Sequence, residues 1–160
     1  MSASGALEGL WLADGGIETD LIFHHGRTLP EFAAFVLLDE AAGIAALRSY
    51  YLPYLELARA AGTGLVLETP TWRASSRWGE PLGYEPAALA DVNRRAVAML
   101  QSLRDEVPTG APVEVSGCIG PMPETQTLTT EQAQRYHRPQ LEALADADRL
   151  TAMTISDPAE

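Results

Sequence analysis

TGLVLETPTW, residues 63–72, is apolar from Leu65 to Leu67, turns polar at Glu68 and is stopped by Pro70. It reads as a strand. On its N-terminal side, residues 29–62 are helical in pattern. Ile44, Leu47, Tyr51, Leu55 and Ala58 recur every three or four residues and so share one helix face. Pro53 lies inside that pattern and is expected to kink the helix, and Gly62 marks its end. On the C-terminal side, residues 85–107 carry Leu89, Val92, Ala96, Met99, Leu103 and Val107 on one face, with Pro86 at a helix start.

The alternation continues in both directions. GLWLAD, residues 9–14, reads as an earlier strand ending at Asp14, and APVEVSGCIG, residues 111–120, as a later one. Residues 129–147 form a third helical stretch. Thr129 and Gln132 have the spacing of a capping box, and Pro139 threatens a kink. RLTAMTIS, residues 149–156, reads as a fourth strand, and DPAE, residues 157–160, as the opening of another helix. Strands alternating with helices predict an α/β fold with a parallel sheet and helices packed outside it.

The chain has 160 residues, 46% of them hydrophobic and 21% charged, a balance typical of a globular domain. We expect one domain over residues 1–160. Acidic residues outnumber basic ones by 22 to 11, a net charge of −11, and the pI is near 4.6. Such a surface repels phosphate backbones, so no nucleic-acid partner is expected. The N-terminus, MSASGALEGLW, has neither a basic region nor a long apolar core, and no stretch is apolar enough to span a membrane. A cytoplasmic protein is expected. The single cysteine permits neither an internal disulfide nor a cysteine-rich metal site. No G-x-G-x-x-G follows the first strand and no P-loop sequence occurs.

Polar residues gather where the strands end: Asp14-Gly15-Gly16 after the first, Glu68-Thr69-Pro70-Thr71-Trp72-Arg73 after the second, Ser116-Gly117-Cys118 in the third, and Thr154 near the end of the fourth. Such residues are common in loops, so no single one marks a site. Four strand ends of the same character do point to one, because parallel α/β folds place ligands at that edge.

Three of these stretches, DGGIETDLI (14–22), ETPTWRASSRWGEPLGY (68–84) and VSGCIGP (115–121), occur in an order that resembles the homocysteine S-methyltransferase family. The likeness covers about residues 10–156. It implies a (β/α)₈ TIM-type barrel, of which this chain would supply the first four β/α units, a half barrel. It also implies methyl transfer from an activated methyl donor to the thiol of homocysteine or a related thiol. Asp14 would contact the substrate amino group, with Gly15 and Gly16 clearing room beside it. Thr69, Thr71, Trp72 and Arg73 would wall the pocket, and Ser116, Gly117 and Gly120 would shape the loop above the third strand.

The family's zinc is held by three cysteines in later strand-end motifs, including a G-G-C-C, that this chain does not contain. The resemblance therefore implies zinc for the full-length family, with no ligand and no catalytic residue in these 160 residues. Cys118 reads as a small packed residue. Many members carry a glutamate at the end of the fourth strand, in a sequence like F-E-T; here AMTISD puts Thr154 near that place. The loop PMPETQTLTTEQ, residues 121–132, also lacks the glycines expected after G-P.

His24 and His25, being adjacent, are expected to point apart on a loop surface. His137 is expected on a helix, packed or facing solvent, and Tyr50, Tyr51 and Tyr54 in core and rim contacts. A half barrel would also expose strand edges, and self-association through them is expected. Leu12, Leu65, Leu67, Val113, Val115 and Ile155 are expected on the inward surface left uncovered. Two other readings stay open: a non-catalytic truncated α/β domain acting by binding or self-association, and a complete small doubly wound domain with another ligand.

Overall fold

The computed structural model describes residues 9–123 and 129–160. Residues 1–8, where no signal sequence was expected, and residues 124–128 of the 121–132 loop lie outside it. Four strands form one parallel sheet: β1 (Trp11–Ala13), β2 (Gly64–Glu68), β3 (Val113–Ile119) and β4 (Arg149–Ala152). The order across the sheet is β1-β2-β3-β4, and every neighbouring pair is parallel. Strands that follow chain order without reversal are wound like a barrel. A doubly wound sheet has a switch point where the order reverses, and none occurs among the described strands.

Three long helices make the crossovers: α2 (Ala41–Ala61), α4 (Pro86–Glu106) and α5 (Thr130–Ala143). Two short ones, α1 (Ile17–Thr19) and α3 (Ser76–Gly79), sit in the loops after β1 and β2. The expected faces are the buried ones: Leu47, Tyr51, Leu55 and Ala58 on α2, and Leu89, Val92, Ala96 and Leu103 on α4. Each fully buried leucine contributes about 1.5–3 kcal/mol. Gly62 closes α2 at φ 67, a left-handed conformation that glycine adopts without strain. Thr129 and Gln132 make the expected capping box: Gln132 N–H donates to Thr129 Oγ1 at 3.3 Å, and Thr129 N–H to Gln132 Oε1 at 2.9 Å.

Some expectations need correction. The helical pattern from residue 29 does not become one helix. Pro30–Phe32 and Ala34–Asp39 are 3₁₀ turns, Glu31 and Phe32 have positive φ, and α2 starts only at Ala41. Tertiary bonds compete with the helix here: Leu38 C=O and the Asp39 carboxylate both accept from Arg95 of α4, and Tyr84 donates to Asp39. Pro53 does not end α2, which runs on to Ala61; Pro53 and Ser49, whose carbonyl loses its usual donor, are both exposed. β4 stops at Ala152 instead of residue 156, and Thr154 beyond it has φ 60. Asp157–Glu160 forms a single turn, with Glu160 N–H on Asp157 C=O at 3.1 Å.

The two faces of the sheet also differ from expectation. Leu65, Leu67 and Val115 are fully buried in the core shared with the helices, and Leu12, Val113 and Ile155 pack against that core. They face the helix layer, so they are not the uncovered inward surface. Side chains alternate along a strand, which puts Val66, Glu68, Ser116, Cys118 and Thr151 on the opposite, inner face. The register sets Glu68 beside Ser116 and Cys118 beside Thr151. Lower on that face Arg149 and Glu114 form an ion pair at 2.8 Å.

Candidate functional site

The inner face ends in a cluster of carboxylates and hydroxyls at the C-terminal ends of the strands. Asp14 follows β1 directly and is half-buried. Its Oδ1 accepts the backbone N–H of Glu68 at 3.4 Å, which ties the end of β1 to the end of β2. Burial, aided by the neighbouring Glu68 charge, pushes the Asp14 carboxyl up to about 8. Glu68, also half-buried, projects from the last residue of β2; burial raises its carboxyl, and the Ser116 and Thr151 hydroxyls counter part of the rise. Glu18, on α1, is raised by burial as well.

Glycine at position 15 has a local cause. Tyr50 OH donates to Gly15 C=O at 2.6 Å, and a Cβ on Gly15 would come within 2.9 Å of Tyr54 OH. The close approach that the two glycines foreshadow is thus made by tyrosines of α2. Gly16 meets no comparable demand: its φ is −77 and an added Cβ would make only ordinary contacts.

Thr69 and Thr71 are buried, and their hydroxyls are used up in joining the β2 loop to β3. Cys118 N–H donates to Thr69 Oγ1 at 2.9 Å, Thr71 OH donates to Cys118 C=O at 2.7 Å, and the two hydroxyls lie 2.6 Å apart. They support the site from beneath. Gly120 lies under Trp72, where an added Cβ would run into the Trp72 carbonyl and ring. Gly117 faces the other way, towards Leu144 and Leu150, and is apart from the carboxylates.

Trp72 Nε1–H donates to Thr154 Oγ1 at 3.2 Å, linking the loops after β2 and β4; Thr154 OH in turn donates to Met153 C=O. Arg73 lies among aromatic rings, its guanidinium carbon 3.9 Å from the Trp78 ring centre and 4.7 Å from that of Trp72. It also donates to Glu31 C=O. Cys118 is buried, and burial together with Glu68, Glu18 and Asp14 pushes its thiol far up, so it stays protonated.

Of the residues singled out in the sequence, Asp14, Ser116, Trp72 and Arg73 lie at this end of the sheet, and Glu68, Glu18, Tyr50 and Thr151, which were not singled out as site residues, lie there with them. Strand parity was the available signal: Glu68 is two residues beyond Val66 and must share its face. The histidines stand apart. His24 and His25 are exposed, yet both reach the same Asp20 carboxylate, at 3.1 and 3.2 Å, and so do not point apart. His137 is buried and pairs with Glu160 at 2.7 Å. A cavity of about 150 Å³ beside Ser75, Asn93 and Gln140 lies on the helix side and does not include the carboxylates.

The family model for homocysteine S-methyltransferase matches residues 11–160. The chain belongs to that family. Among solved structures, the homocysteine methyltransferase MmuM from Escherichia coli is similar in its metallated form, with a TM-score of 0.72 and 24% identity over 91% of this chain and 54% of that one. Its oxidised form gives a TM-score of 0.70 at 24% identity, covering 88% and 51%. Its apo form gives 0.63 at 25%, covering 92% and 50%. The comparison with curated proteins returned no match. The chain spans about half the length of the solved structures it matches, which are TIM-barrel methyltransferases, and the four-stranded sheet corresponds to half of such a barrel.

A metal is plausible for the homocysteine S-methyltransferase family, since one MmuM structure is a metallated form. The described residues of this chain do not fit a zinc centre. Among the described residues no three histidine, cysteine or acidic side chains converge in a way that could hold an ion, and the one cysteine is a buried thiol.

Proposed function

We propose that residues 1–160 form one domain that binds the acceptor amino acid of an S-methyltransferase barrel. In the full-length form that barrel passes a methyl group from an activated methyl donor to the thiol of homocysteine or a related thiol. Sulfur would form a bond to the methyl carbon as the donor's bond to it breaks, and the thiol would lose its proton. In this reading Asp14 takes the acceptor's ammonium group, and Trp72 and Arg73 wall the pocket. The zinc chemistry of the family has no ligands among the residues described here, so activation of the thiol is assigned to none of them.

The observation that supports this reading is the position of Asp14. It is a half-buried carboxylate at the C-terminal end of the first strand, in a chain whose family acts on a thiol amino acid. Calorimetric titration with L-homocysteine tests it. At pH 8 and just above, where the Asp14 carboxyl is ionised, Asp14→Asn should weaken binding about tenfold or more, because an amide keeps the shape but loses the charge-assisted bond. Unchanged affinity in a folded variant would leave Asp14 a turn residue. The second reading, a non-catalytic domain acting by binding or self-association, draws on the open edges of β1 and β4, each paired on one side only among the described residues. It predicts association of the chain without any affinity for homocysteine.

A further inference from the structure

We propose that Glu68 is the second carboxylate of a primary-ammonium site shared with Asp14, positioned by Thr151 and Ser116; this rests on the reading of the cluster as an amino-acid pocket. The fourth strand ends without an acidic residue. Thr154, the residue nearest that place, is exposed and already engaged by Trp72 and by Met153 C=O. The acidic group facing the same space comes from the second strand instead.

Glu68 is held in one orientation. Thr151 OH donates to Glu68 Oε1 at 3.0 Å, and Ser116 Oγ lies 2.7 Å from Thr151 Oγ1. With Thr151 donating to Glu68, Ser116 donates to Thr151, so the two hydroxyls form a relay from β3 and β4 that ends on one oxygen. The other oxygen, Oε2, is buried and has no hydrogen-bond partner among the described residues. A buried carboxylate oxygen without a donor is costly, and a ligand that supplies one removes that cost.

Arg149, on the same face, is near enough to draw the Glu68 carboxyl down, but its guanidinium is paired with Glu114 at 2.8 Å. Among the described residues no arginine or histidine forms a salt bridge with Asp14 or Glu68. The sequence contains no lysine, its basic residues all being arginine. Two carboxylates joined through the Glu68 N–H to Asp14 bond, one with an unused buried oxygen, suit a compact cation with several N–H donors. A primary ammonium has three. A quaternary ammonium has none, and among the described residues no third ligand is placed for a metal.

The test compares L-homocysteine, L-methionine and 4-mercaptobutanoate, the last being homocysteine without its amino group, against the wild-type chain, Glu68→Gln and Thr151→Val. Calorimetry gives affinities, and carboxyl ¹³C resonances of the wild type show whether Glu68 senses the ligand. Glu68→Gln should weaken homocysteine about tenfold or more and leave 4-mercaptobutanoate unchanged, with a smaller loss in Thr151→Val. Should Glu68→Gln fail to fold, Glu68→Asp keeps the charge and should keep part of the discrimination, while the wild-type resonances report independently. Homocysteine binding that neither shifts the Glu68 resonance nor depends on Glu68, or that falls equally for both thiols, overturns this proposal and leaves the acceptor reading standing. Glu68-dependent binding of methionine without homocysteine supports this proposal and overturns homocysteine as acceptor. Failure of every amino acid to bind overturns both.

Discussion

Burial pushes the Asp14 carboxyl up to about 8, from an ordinary value of 3.8. Between those values the folded chain keeps a proton that the unfolded chain releases, so this group's contribution to stability is intact below pH 3.8 and is lost as pH rises towards 8. Asp14→Asn removes the ionisation while its amide oxygen can still accept the Glu68 N–H. The variant should therefore melt a few degrees above wild type at pH 8, a gain on the order of 1–2 kcal/mol at a partly screened site, and together with it at pH 4. A lower melting temperature at pH 8 would show that ionised Asp14 stabilises the fold. Loss of binding together with gain of stability is the pattern expected where a charge is kept for a ligand. Asp14 was legible in the sequence because it interrupts an apolar run just before two glycines. Glu68 was not, because its face depends on strand register and because Thr69 and Thr71 beside it resemble pocket residues. Their hydroxyls turned out to be committed to Cys118.

At the level of elements, periodicity identified the buried faces of α2 and α4, and turn chemistry identified the α2 stop and the α5 cap. It failed where an apolar segment gives its hydrogen bonds to a distant helix, as residues 34–39 do with Arg95. Gly43 shows how closely that segment and α2 are joined: a Cβ there would strike the backbone of Leu37, which cannot swing aside as a side chain can. Gly43→Ala should raise helix propensity by about 0.5–1 kcal/mol yet lose about 1–3 kcal/mol to overpacking, for a net destabilisation. Thermal melts beside an Ala42→Gly control, at an exposed position in the same turn, separate the two effects. A more stable Gly43→Ala chain would mean that the 3₁₀ segment yields, and that α2 is not clamped against it.

For the whole molecule, strand–helix alternation was enough to predict a parallel sheet, but not which strand face meets the helices. The apolar residues expected to lie bare are the ones the helices cover. The inner face instead carries Glu68, Ser116, Cys118, Thr151 and the Arg149–Glu114 pair. Self-association would therefore arise at the open strand edges, not on a greasy inner surface. On β4 the edge carries Leu150, 49% exposed, with Met153, 40% exposed, just beyond it. An unpaired edge offers N–H and C=O groups to another strand, and a charged side chain there discourages pairing. The net charge of −11 opposes association through repulsion that salt screens. Light scattering behind size-exclusion chromatography should find the mass of the 160-residue chain rising above that of a monomer between about 0.05 and 0.5 M salt. Leu150→Lys should suppress the rise. A chain that stays monomeric and melts cooperatively at every salt concentration would show that its edges are self-protected, and would remove the support for a role in self-association.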